Sequence, residues 1–141
     1  MLVRQCQAAM LDVNRGFNVS PTSWDPYPTI GRNGTYLSDA RALTSVLGEL
    51  PTGGATQAIT PQQAAALEGA MGLEPGSLAG GFKIRQVDGI QDIAPRSPLE
   101  GNRFFRGPGQ HLPGGGPELV VNSIPTTDGP GITTLGTMTV H

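Results

Sequence analysis

The residue types best suited to chemistry stand close together late in the chain, between Arg96 and Glu118. The stretch Arg96-Ser97-Pro98-Leu99-Glu100-Gly101-Asn102-Arg103-Phe104-Phe105-Arg106, continuing through Gly107-Pro108-Gly109-Gln110-His111 to Gly114-Gly115-Gly116-Pro117-Glu118, holds three of the eight arginines and one of the two histidines. His111 can titrate near neutrality and is a candidate general base or acid. Arg106, or Arg103, can neutralise a phosphate or an oxyanion, and Glu118 can orient or complement the histidine. A base, an acid and a cation beside a phosphorane are what RNA cleavage through its own 2'-hydroxyl requires, with no metal and no cofactor. His111, Arg106 and Glu118 are therefore the catalytic candidates, with Lys83, Arg85, Arg96 and Arg103 as phosphate contacts. The plainer alternatives are a solvated loop histidine and, for Lys83 and Arg85, an exposed sheet face, because residues two apart share one side of a strand.

Other chemistries are less well equipped. Zinc needs a group of Cys and His, and one Cys with two His, the second being His141, cannot supply it without carboxylates. Cys6 has no nucleophile motif around it and reads as a small buried hydrophobe. Ser97 and Ser123 are not in a nucleophile elbow. The run Gly107 to Gly116 lacks both the dinucleotide fingerprint and the Lys-Ser/Thr ending of a nucleotide loop. Thr126, Thr127 and Asp128 read as a turn before the last strand, at a sheet edge whose hydroxyls are also placed to meet a ligand. Asn18 and Asn33 match the glycosylation pattern, which is short enough to arise by chance.

With 141 residues, the chain is expected to be one domain. Its 21 glycines and 13 prolines raise the question of disorder, but 37% hydrophobic and 14% charged residues point to a compact, loop-rich fold. A net charge of -2 removes the simplest case for nucleic-acid binding, a strongly basic domain. The single Cys6 allows no internal disulfide. No run approaches the roughly 20 apolar residues of a spanning helix, and the first ten residues lack the basic flank and long apolar run of a signal peptide.

The elements that must position these residues follow from spacing. Residues 1–36 are expected to form an extended strap with one helical turn around Val3, Ala8 and Leu11, because Pro26 and Pro28 hold Asp25 and Tyr27 extended and lay Trp24, Tyr27 and Tyr36 along the body. Two helices are expected within residues 37–72. The first has Ser38 as N-cap, Ala40, Leu43, Val46 and Leu47 at helical spacing and Gly48 at its end. In the second, Thr60, Pro61 and Gln63 open a capping box before Ala64, Leu67, Ala70 and Met71. Residues 82–140 are expected to hold the sheet: Phe82 to Val87, Gly89 to Ile93 paired with it, Arg103 to Phe105, Glu118 to Ile124 and Ile132 to Val140. The result is an α+β domain, N-terminal helices followed by a four- to five-stranded, largely antiparallel sheet, since the short connections leave no room for crossover helices.

In three stretches the chain resembles the C-terminal toxin domains of bacterial polymorphic toxins of the Rhs and contact-dependent inhibition type. These are Tyr27-Pro28-Thr29-Ile30-Gly31-Arg32-Asn33-Gly34-Thr35, Gly72-Leu73-Glu74-Pro75-Gly76-Ser77-Leu78, and the Arg96 to Glu118 block. Helices followed by an antiparallel sheet are similar to the barnase, EndoU, colicin and RelE-like ribonuclease group, although that group is commonly basic and this chain is acidic. The resemblance implies a secreted effector delivered into the cytoplasm of a target cell, RNA as substrate (tRNA among the options), and a cognate immunity protein as partner. It implies neither a metal nor a membrane. Two other functions stay open. An ADP-ribosyltransferase or NAD hydrolase would use Arg103 or Arg106 with Phe104 and Phe105, but Glu118 is the last glutamate and only Asp128 follows it as an acid. A non-enzymatic module of a phage or secretion machine would account for the abundant Gly, Pro and Thr.

Overall fold

The computed structural model describes residues 3–31, 34–71, 73–95 and 118–141. The chain is α+β. Helix α1 spans Val3–Val13, α2 Ala40–Leu47 and α3 Pro61–Met71; strands β1 to β8 span Arg15–Pro21, Thr29–Ile30, Thr35–Ser38, Ala55–Ile59, Phe82–Asp88, Glu118–Val121, Ile124–Pro125 and Ile132–Val140. Six strands form one sheet in the order β4-β8-β5-β1-β3-β6, and β2 and β7 form a second, two-stranded sheet. Every pairing is antiparallel except β4 with β8.

The helix signals act locally as their chemistry dictates. The Gln63 backbone N–H donates to Thr60 Oγ1 at 3.1 Å and the Thr60 N–H to Gln63 Oε1 at 3.0 Å, a reciprocal capping box before Pro61. The cap of α2 is Asp39 rather than Ser38: its carboxylate accepts from the Ala42 N–H at 2.9 Å, and Ser38 completes β3. Gly48 closes α2 with φ of 82°, a conformation that strains any residue with a Cβ.

The front of the chain differs most from expectation. Residues 1–36 do not form a strap alone: α1 is a full helix, and β1 runs through the interior of the large sheet between β5 and β3. The sheet therefore exceeds the 82–140 span, drawing β1, β3 and β4 from earlier residues. The reason for the difference is chemical. Strand β1 buries both faces, and one of them carries Asn18 and Ser20, so it lacks the apolar-polar alternation of a half-exposed strand. Residues Ile90–Asp92 form a 3-10 turn instead of a strand, because Gly89 leaves β5 in the left-handed conformation. The expected strand from Glu118 to Ile124 is two strands, β6 and β7, in different sheets. The expected run Arg103 to Phe105 lies outside the described residues.

The sheet separates two cores. On one side Phe17, Phe82, Ile84 and Met138 pack with Leu43 of α2 and Ala64, Leu67 and Met71 of α3. On the other, Val87, Leu37, Leu119, Val121 and Ile132 pack with Met10 of α1 and with Ile30 and Ile124 of the small sheet. Between β5 and β8 the register shifts, so that Ile84 faces Gly136 and Arg85 faces Thr134, with Leu135 as the extra residue. Gly136 is required by space: a Cβ there would lie 2.5 Å from Pro51 Cβ and 2.8 Å from the Ala55 carbonyl oxygen.

One polar group supports the helical side. Glu68 is 5% exposed, and its two carboxylate oxygens accept from the Gly76 N–H at 3.0 Å and the Leu78 N–H at 2.9 Å. The 73–80 loop is thus pinned to α3 and delivers Leu78 into the core. Glu68→Ala is expected to destabilise the fold by about 2 kcal/mol, since it strips the buried Leu78 N–H of its acceptor and frees the Gly76 turn. Urea unfolding measures the loss, and a change within about 0.5 kcal/mol would show that the loop holds itself.

Candidate functional site

Alternation along β5 sends Lys83, Arg85 and Val87 to one side of the sheet and Phe82, Ile84 and Gln86 to the other. The register then sets their neighbours: Arg85 lies between Asn18 of β1 and Thr134 of β8, and Lys83 between Ser20 and Thr137. Arg85 is not on an exposed face. It is 1% exposed, the largest of the fully buried side chains among the described residues. A guanidinium taken this far from water must be matched by acceptors. Arg85 Nη1 donates to Ser20 Oγ at 2.7 Å, and Nη2 donates to the Thr126 carbonyl at 3.0 Å and to Asp25 Oδ1 at 3.4 Å. Lys83 Nζ meets the other oxygen of the same carboxylate, Asp25 Oδ2, at 2.7 Å.

Asp25 and Thr126 come from segments laid over the sheet. Asp25 caps the 3-10 turn Thr22–Trp24. Thr126 follows β7, where its N–H donates to the Pro28 carbonyl and its hydroxyl to the Tyr27 carbonyl. Asp128 closes the group from the β8 side, its carboxylate accepting from the Thr134 N–H and hydroxyl. Two atoms in this group lack a partner: Arg85 Nε and Asn18 Oδ1, which belong to cross-strand neighbours. Asn18 is 4% exposed and its Nδ2 donates to the Tyr36 carbonyl, so it is buried structure and no glycan acceptor.

The other candidates fall elsewhere. Arg96, Arg103, Arg106 and His111 lie outside the described residues, as does Asn33. Glu118 opens β6 opposite Ser38, three strands away from β5, or about 14 Å at the usual strand spacing. The structure therefore brings Lys83 and Arg85 together and does not bring Glu118 to them. It does bring together the flanks of the Arg96 to Pro117 segment. The Asn122 N–H donates to the Ile93 carbonyl at 2.9 Å, and Ile93, Leu119 and Val121 share the core on the Arg85 side of the sheet. From this clasp the chain runs through β7 to Thr126, on Arg85.

Asp25, Ser20, Asn18 and Thr126 were not identifiable as partners of Arg85 from sequence. The available signal was the parity of Lys83 and Arg85 on one strand and the Thr126-Thr127-Asp128 turn. A separate cavity of about 320 Å³ opens between α1 and the start of α2, lined by Ala9, Met10, Val13, Arg15, Phe17, Asp39 and Ala40. Its Arg15 already holds Asp88 at 2.6 Å. Among the described residues, no group of three or more His, Cys, Asp and Glu is placed to hold a metal ion, and no helix is long and apolar enough to cross a membrane. Comparison of the chain with protein-family models, curated proteins and solved structures found no match.

Two measurements test this geometry. Arg85→Ala removes the partner of Ser20, Asp25 and Thr126 and is expected to cost about 3 kcal/mol, whereas Lys83→Ala, at a partly exposed pair, is expected to cost about 1 kcal/mol or less. Equal losses would contradict the assigned roles. The second test is acid unfolding. Partial burial raises the Asp128 pKa, but hydrogen bonds from Thr134 and the charges of Arg85 and Lys83 outweigh it and leave the carboxyl below the usual aspartate range. At Asp88, burial is likewise outweighed, by the hydrogen bonds of Arg15 and Gln86 and the Arg15 charge. A carboxyl lowered on folding contributes stability that is present above its unfolded pKa, about 3.9, and lost as pH falls through the folded value. Between about pH 5 and pH 2, Asp128→Asn should therefore lose less stability than the wild type. An identical loss would remove Asp128 from the network.

Proposed function

We propose that the chain is a toxin domain that cleaves RNA without a metal. In this reading His111 is the general base or acid, Arg106 the cation at the phosphorane and Glu118 the complementary or orienting carboxylate, with Arg96 and Arg103 on flanking phosphates. Lys83 and Arg85 are the cationic part of the described face. The domain acts in the cytoplasm of a target cell after delivery, and a cognate immunity protein, acidic where it covers residues 96–111, restrains it. The observation that supports the reading is the clasp between Ile93 and Asn122. It joins the two flanks of the segment richest in Arg and His beside the large sheet, on the side that also carries Lys83 and Arg85, and catalytic residues concentrate on loops held by such scaffolds. The acidity of the chain is met in this reading by local rather than global charge.

Purified domain is incubated with total bacterial RNA in EDTA and, separately, with NAD. The reading expects discrete RNA fragments, lost in His111→Ala while that variant keeps the wild-type unfolding midpoint. NAD loss with intact RNA would move the assignment to a transferase or hydrolase. No change in either tube, from a folded sample, would favour a non-enzymatic module.

A further inference from the structure

We propose that Asp25 occupies a phosphate seat formed by Lys83 and Arg85, and that the seat opens when the Asp25 side chain turns away. The first observation is which edge of the guanidinium is in use. The Nε–H and one Nη2–H of an arginine point in parallel from the same edge and form the fork that grips two oxygens of a carboxylate or phosphate. At Arg85 this fork is half filled: Nε has no partner, while Nη2 donates to the Thr126 carbonyl at 3.0 Å and to Asp25 at 3.4 Å. At the opposite end Nη1 donates to Ser20 Oγ at 2.7 Å. The side chain is thus held through Nη1 by Ser20 and through Nη2 by Thr126, while the Nε position of its gripping edge has no acceptor.

The second observation is how the carboxylate is shared. Asp25 divides its two oxygens between Lys83 Nζ and Arg85 Nη2, which is how the two non-bridging oxygens of a phosphodiester would bridge the same cations. The third is its mobility in principle. The Asp25 side chain is 38% exposed and residues 25–29 are exposed throughout, so the carboxylate can rotate into water without opening either core. Among the described residues, Asp128 is then the acid whose charge still reaches Arg85 and Lys83, a site with one net positive charge. A phosphate restores neutrality and supplies an acceptor for Arg85 Nε. The inference deepens the RNA-cleaving reading, since an RNA phosphodiester is the group such a seat would take, but its test uses inorganic phosphate and so fails separately from the nuclease assay.

Binding of inorganic phosphate is measured calorimetrically at constant ionic strength in chloride, for wild type, Asp25→Asn and the double variant Asp25→Asn with Lys83→Met. Removing the competing carboxylate is expected to tighten phosphate binding about tenfold or more, and removing Lys83 to reverse that gain. In wild type, phosphate should shift the Arg85 Nε–H proton resonance downfield, a readout that does not depend on any variant folding. A purely structural ion pair predicts the opposite set: no tightening in Asp25→Asn and no movement of the Arg85 Nε–H signal at saturating phosphate. Either of those results would overturn the proposal.

Discussion

A charged guanidinium in the middle of a sheet sets the terms for half of this molecule. Arg85 is 1% exposed on a strand with neighbours on both sides, so its acceptors have to be brought to it. Ser20 comes from the adjacent strand, but the Asp25 carboxylate and the Thr126 carbonyl come from segments that have to cross over the sheet. The path of the chain from residue 22 to residue 30, and from residue 124 to residue 128, is the physical answer to that demand. The small sheet of β2 and β7 joins these two crossings to one another, and Ile30 and Ile124 on it seal the core beside Arg85.

The two faces of the sheet are consequently held by different forces. The helical face is an ordinary apolar layer in which Leu43, Leu67 and Met71 cover Phe82 and Ile84, with the buried Glu68 carboxyl group satisfied by backbone N–H groups. The opposite face mixes an apolar patch with a polar network whose members come from β1, β5, β8 and the crossing segments. Polar networks specify geometry more sharply than apolar contacts do, because a small displacement leaves a buried group unpaired. That property suits the face on which the flanks of residues 96–117 are clasped.

How much of this was legible in the sequence depended on which residues carried the signal. Helix α3 announced itself through its cap, because a Thr, a Pro and a Gln in fixed order act over four residues and need no tertiary partner, whereas α1 has no such signal and was legible only as a single turn. Strands β5 and β8 were legible from their β-branched and aromatic residues, and the α+β class followed. Strand β1 was not, because Asn18 and Ser20 belong inside only if Arg85 is also inside, which is a fact about pairing. The same circularity hid the site. Lys83 and Arg85 were visible as a pair on one face, yet burial of that face depends on Asp25 and Thr126, which are 60 and 41 residues from Arg85 in sequence. The N-cap of α2 was displaced by one residue because Ser38 and Asp39 are both good caps, and β3 claims the serine.

If Arg85 holds the crossing segments to the sheet, amide hydrogen exchange will register its removal there. The Thr126 N–H, bonded to the Pro28 carbonyl, and the Ile124 N–H, bonded to Thr35 Oγ1, report on those segments and do not themselves touch Arg85. In Arg85→Met both should lose protection together, while the Gly48 N–H that closes α2 on the other face keeps its wild-type protection relative to global unfolding. Unchanged protection at Thr126 and Ile124 would contradict the account, for it would mean that the crossings are held by the small sheet and its apolar seal alone.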